Sequence, residues 1–99
     1  MVLRPRRGQL WAVAGPDRRR VLVYSGDMFN DLDAVPYVIT MDVVGTPDPL
    51  TVTTGEGLHI SYTRLDHVPK ESLAEQFGEV SAELLQTVNT RLFMVLTTS

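Results

Sequence analysis

The 99 residues carry a formal net charge of −3, with 43% hydrophobic and 21% charged side chains and no cysteine, which suits one small domain and excludes disulfides and thiolate metal sites. No apolar run approaches the roughly 20 residues that cross a bilayer, and no apolar segment follows the N-terminal arginines, so a cytoplasmic chain without a membrane partner is expected. The charge is unevenly spread. Residues 1–20 hold Arg4, Arg6, Arg7, Arg18, Arg19 and Arg20 against Asp17 alone, giving +5, while residues 21–99 hold three cations and eleven carboxylates, giving −8. That asymmetry points to a local site for a polyanion or acidic peptide on a chain that otherwise repels anions.

In chain order, the polar/apolar alternation of residues 9–14, which include Trp11, predicts a half-buried strand. Gly15-Pro16-Asp17 turns the chain into a second strand over residues 18–24, where three arginines run directly into Val21-Leu22-Val23-Tyr24. The two would form an antiparallel hairpin with its arginine groups at different ends. Residues 25–34 read as a polar loop, a lid or a plain connection. The β-branched run over residues 35–44 is a third strand, with Pro36 near its start. Residues 50–54 and 58–65 are further strands, the latter placing His59, Ser61 and Thr63 opposite Leu58, Ile60 and Tyr62.

The remaining chain changes character. Residues 69–75 read as a short helical turn entered by Pro69, and residues 77–80 as a brief strand. Ser81 is placed to cap a last helix, with Glu83 in its first turn. Leu84, Leu85, Val88, Leu92, Val95 and Leu96 would form that helix's buried stripe. The expected fold is mainly β with one helix: a small, curved, SH3-like antiparallel barrel, residues 1–99 in a single domain, with the C-terminal helix packed on its sheet. A chain of this size also favours a homodimer.

Three stretches, Arg7-Gly8-Gln9-Leu10-Trp11, then Arg19-Arg20-Val21-Leu22-Val23-Tyr24-Ser25-Gly26-Asp27, then Pro36-Tyr37-Val38-Ile39-Thr40-Met41-Asp42, resemble in order and spacing the opening of the MazF/PemK toxins of type II toxin–antitoxin systems. Val80-Ser81-Ala82-Glu83-Leu84-Leu85 resembles the start of their last helix. The resemblance implies an SH3-like barrel, a homodimer and metal-independent cleavage of single-stranded RNA at short sequences, with no cofactor. It also implies an antitoxin partner whose acidic segment occupies the RNA groove. Arg19 matches the family's catalytic arginine, and Arg20 stands where a proline is usual. At the end of the third strand the family carries Thr or Ser. Ungapped register places Asp42 there, and a two-residue shift would place Thr40.

RNA cleavage without a metal needs activation of the 2′-hydroxyl and neutralisation of charge on the phosphoryl group, and a guanidinium fork suits the second task. The candidate catalytic residues are therefore Arg19, Asp42 and Thr40. Candidate RNA contacts are Arg7, Trp11, Arg18, Arg20 and Ser25. His59, Asp66 and His67 have the residue types of a metal site but no ligand spacing, so no metal is expected. A same-fold toxin acting on a protein target such as DNA gyrase, in the manner of CcdB, and a non-catalytic module binding RNA or antitoxin are the alternatives.

Overall fold

The computed structural model describes residues 4–98. Six strands form one antiparallel sheet: β1 (Gln9–Val13), β2 (Arg20–Val23), β3 (Tyr37–Val44), β4 (Thr51–Thr53), β5 (His59–Pro69) and β6 (Leu73–Glu79), in the spatial order β4-β5-β3-β2-β1-β6. Helix α1 (Asp27–Asn30) lies between β2 and β3, and α2 (Ala82–Thr97) follows β6. This is the expected mainly-β sheet with a C-terminal helix packed on it.

The register explains how a four-residue strand, β2, organises the molecule. Leu10, Leu22 and Met41 lie opposite one another across β1, β2 and β3, so they share a face, and Trp11, Val21 and Asp42 share the other. The first face, with Ile60 and Tyr62, packs against Val88 and Leu92 of α2. On the second face Trp11, Val21, Val23, Val38, Val68 and Leu73 form a separate cluster. Three strands separate β5 from β6 in the sheet, yet Val68 and Leu73 belong to that one cluster, so the sheet curls around it. Register shifts at Leu10/Trp11, Ala12/Val13 and Met41/Asp42 supply the curvature a flat ladder lacks. Because Val21, Leu22 and Val23 are wholly buried, truncating Leu22 to Ala would cost about 2–5 kcal/mol.

Several boundaries differ from expectation. Residues 25–34 hold α1 rather than an open loop, and Asn30 is buried there, donating through Nδ2 to the Ser25 carbonyl at 2.9 Å. β5 continues to Pro69, eleven residues, because its second half pairs with the whole first half of β3. The helical turn expected over residues 69–75 shrinks to a 3-10 turn at Lys70–Ser72, since Leu73 is drawn into the cluster beneath β1. β6 therefore begins there, earlier than expected. Ser81 caps α2 as expected, its hydroxyl accepting from the Leu84 amide at 3.1 Å. The buried stripe of α2 stops at Leu92, because the helix outruns the sheet; Val95 and Leu96 are exposed at 47% and 70%.

Candidate functional site

The turn between β1 and β2 holds Arg18 at φ 51°, a left-handed conformation that costs a side-chain-bearing residue roughly 1–2 kcal/mol. The strand ladder resumes immediately afterwards, the Val13 amide donating to the Arg19 carbonyl at 2.8 Å. Arg19 thus stands at the ladder's entrance, one turn of the pleat before Val21, on the face carrying Asp42. Its Nε and Nη2 donate to Asp42 Oδ1 at 3.1 and 2.7 Å. Nη2 also lies 3.0 Å from Asp66 Oδ2. Asp66 reaches this point because β5 places it opposite Thr40.

The electrostatics follow from these contacts. Hydrogen bonding to Asp42, ahead of its Coulombic attraction and the weaker contribution of Asp66, holds the Arg19 pKa above its ordinary value. The amide of His67, which donates to Asp66 Oδ1 at 2.8 Å, is the main cause holding the Asp66 carboxyl below its ordinary value, followed by the bond from Arg19. Two carboxylates and one guanidinium leave the free centre net negative. Asp42 is the less exposed partner, its side chain 25% accessible against 46% for Asp66.

Thr40 does not reach the guanidinium: it is fully buried, and its hydroxyl donates to the Asp66 carbonyl at 3.4 Å. Asp42 therefore faces Arg19, as ungapped register implies. Arg18 and Arg20 are exposed, and Arg20 lies on the opposite face of β2 from Arg19, its guanidinium 5.8 Å from the centre of the Phe77 ring. The other expected RNA contacts have internal partners. Trp11 is 7% exposed within the inner cluster, its Nε1 donating to Gln9 Oε1 at 3.0 Å, so its ring offers no open stacking face. Ser25 is buried, bonded through its hydroxyl to Asn30 and accepting from the Ile39 amide at 3.0 Å. Arg7 sits over the Tyr24 ring at 4.7 Å and donates to the Tyr24 carbonyl and Asn89 Oδ1 at 2.9 and 3.0 Å.

His59 bonds Thr53 near the start of β5, and His67 lies near its far end, so the two histidines do not converge. A cavity of about 480 Å³ runs along the outer side of α2 by Gln86, Thr90 and Met94, away from Arg19. The charged centre is an open rim, suited to a chain laid across it, and for that reason chemistry rather than cavity size identifies it. Asp66 is the residue the sequence did not indicate as a partner of Arg19; only the full length of β5 would have brought it into register.

A curled six-stranded sheet backed by one helix defines the fold class. Solved structures of that class include an endoribonuclease from a mycobacterial species (20% identity, TM-score 0.84, 97% of this chain and 94% of that one). A mycobacterial endoribonuclease in complex with its cognate antitoxin is also similar (22%, 0.84, 96% and 97%), as is a MazE–MazF structure from Deinococcus radiodurans (24%, 0.78, 95% and 97%). No protein-family model matches the chain, and no curated protein sequence does. The chain has the MazF fold over nearly its whole length.

Proposed function

We propose that the protein is the toxin of a type II toxin–antitoxin pair, an endoribonuclease that cleaves single-stranded RNA at specific short sequences without a metal. The observation that carries this reading is the Arg19 guanidinium, held by Asp42 at the rim of a fold shared with proteins described as endoribonucleases. In the reaction the ribose 2′-oxygen bonds to the adjacent phosphorus as the bond from phosphorus to the 5′-oxygen breaks. The 2′-hydroxyl proton passes to a base and a proton reaches the departing oxygen. Arg19 stabilises the charge that builds on the phosphoryl oxygens. Among the described residues its Nη1 makes no hydrogen bond, which leaves a donor for phosphate. Asp42 orients Arg19 and is the candidate base, and a requirement for the 2′-hydroxyl restricts cleavage to RNA.

A phosphate entering the centre meets two carboxylates, and like charges about 4 Å apart repel by roughly 4 kcal/mol at an effective dielectric of 20. Asp66 yields first. It is the more exposed of the two, and an exposed ion pair contributes only about 0–1 kcal/mol, so exchanging it for phosphate is the cheaper route. Arg18, exposed in the adjoining turn, and Arg20, exposed on the other face of β2, add positive charge that attracts both the RNA backbone and an acidic antitoxin segment. Phe93, Met94, Val95 and Leu96, each at least 47% exposed at the end of α2, support pairing of two copies into a homodimer.

The test is incubation of the purified protein with a long single-stranded RNA in chelator, alongside Arg19→Ala and Asp42→Ala. Cleavage by the wild type that is lost in Arg19→Ala is the expected result. Equal cleavage by Arg19→Ala would overturn the role of the arginine, and activity restored only by added metal would overturn the metal-free mechanism. The carboxylate that faces Arg19 where the family carries a hydroxyl favours a second reading, a non-catalytic module that binds RNA or antitoxin through the same rim. Tight RNA binding without cleavage across diverse sequences would select it.

A further inference from the structure

Asp66 and His67 are consecutive residues on opposite faces of β5, joined by more than the chain. The Asp66 carboxylate that pairs with Arg19 through Oδ2 accepts from the His67 amide through Oδ1, and His67 Nδ1 lies 3.9 Å from the same Oδ1. On the face opposite Arg19, His67 stacks at a tilt against Tyr37, ring centres 5.1 Å apart, and Tyr37 against Phe29 at 6.0 Å. The line of rings begins at an accessible end, the His67 side chain being 70% exposed and Tyr37 36%. Beside it a cavity of about 420 Å³ is walled by Tyr37, His67 and the two prolines Pro36 and Pro69. Lys70 and Glu71 stand at its edge, the Lys70 ammonium tethered to the Leu32 carbonyl at 3.0 Å.

We infer that this shelf of Tyr37 and His67, flanked by Pro36 and Pro69, is a nucleobase subsite that receives a base of single-stranded RNA next to the nucleotide held at Arg19. The inference rests on the functional reading given above and adds to it a place where the strand leaves the charged centre. Aromatic and prolyl rings suit a planar, uncharged base, and stacking requires no particular base identity. The base enters the cavity and the backbone passes outside, over the outer edge of β5. Along residues 64–67 that edge pairs with no strand among the described residues, β4 reaching only as far as Ser61. Asp66 and His67 are adjacent along β5, about 3.3 Å of rise, and present the carboxylate and the shelf on its two faces, so the RNA backbone rounds the strand edge between them.

The experiment measures equilibrium binding of a mixed-sequence single-stranded RNA with 2′-O-methyl riboses, which cannot be cut by 2′-hydroxyl attack. Binding is compared for wild type, Tyr37→Leu, Tyr37→Phe, His67→Ala and Arg19→Ala, each checked for folding by thermal melting. The expected result is an affinity about tenfold weaker in Tyr37→Leu, retained in Tyr37→Phe, and weaker by a smaller factor in His67→Ala. On the wild-type protein, photocrosslinking with 5-iodouridine in the same RNA should place adducts on Tyr37 or His67. If Arg19→Ala weakens binding while Tyr37→Leu and His67→Ala match wild type and adducts form only elsewhere, the subsite is overturned and RNA binding at Arg19 stands. If the wild type binds no RNA, the subsite and the functional reading fall together.

Discussion

The two arginine groups sit at opposite ends of one hairpin and have opposite fates. At the end away from the turn, beside Val23 and Tyr24, Arg6 forms contacts with Asp31 at 3.0 Å and Asp27 at 3.2 Å, while Arg7 is wedged among Tyr24, Asn89 and the Asp27 carboxylate that accepts from its amide. These contacts tie the N-terminal segment to α1, β2 and α2. At the turn end the Arg19 guanidinium pairs, among the described residues, with Asp42 and Asp66 at an open rim, with Arg18 exposed in the adjoining turn. Residue type is the same at both ends. What differs is whether the guanidinium is held by a backbone carbonyl and a side-chain amide, as Arg7 is, or by carboxylates at an open rim, one of which a ligand can displace, as Arg19 is.

The largest expected effect belongs to the turn end. Arg19→Ala should lower the rate of RNA cleavage by about 10² to 10³, the scale seen when a donor to a developing oxyanion is removed, with little loss of melting temperature. Arg7→Ala should show the reverse pattern. Loss of bonds to the Tyr24 carbonyl and Asn89 would cost about 1–3 kcal/mol, lowering the melting temperature by several degrees, with cleavage by the folded fraction unchanged. A matching loss of activity in a fully folded Arg7→Ala protein would break the division between the two ends.

Arg6→Ala should matter less. Its pairs with Asp27 and Asp31 are roughly half exposed, so a cost below about 1 kcal/mol is expected, shrinking further in high salt. The smallest effect is acid dependence at the rim. Because the folded Asp66 carboxyl titrates below its ordinary value, its contribution is fully present above pH about 4 and is lost as pH falls through the folded value. Thermal melts of Asp66→Asn and wild type should therefore differ slightly at neutral pH and converge in strong acid. A gap that widened on acidification would contradict the sign of the shift.

Local pattern carried a large part of the fold. The hairpin around Gly15-Pro16-Asp17, the third strand, the Ser81 cap and the Leu84 to Leu92 stripe all follow from side-chain periodicity and turn chemistry, which act within a few residues. The helical turn expected over residues 69–75 failed because the deciding interaction, Leu73 drawn beside β1 into the cluster with Trp11, joins strands distant in sequence. Trp11 and Ser25 show the same limit. Each has a residue type able to meet RNA, and each is buried by neighbours that no nearby residue reveals.

The sequence by itself determined that a block of three cations enters a buried strand in an otherwise acidic chain, and the family resemblance left either Asp42 or Thr40 to stand beside it. Only the tertiary structure decided which cation is held and by what. The curl of the sheet and the full length of β5 bring Asp66 across to Arg19, join that centre to the Tyr37–His67 shelf, and leave Thr40 buried. Register between strands is set by the summed burial of both faces and not by any one residue, so this convergence could not be read from either strand alone.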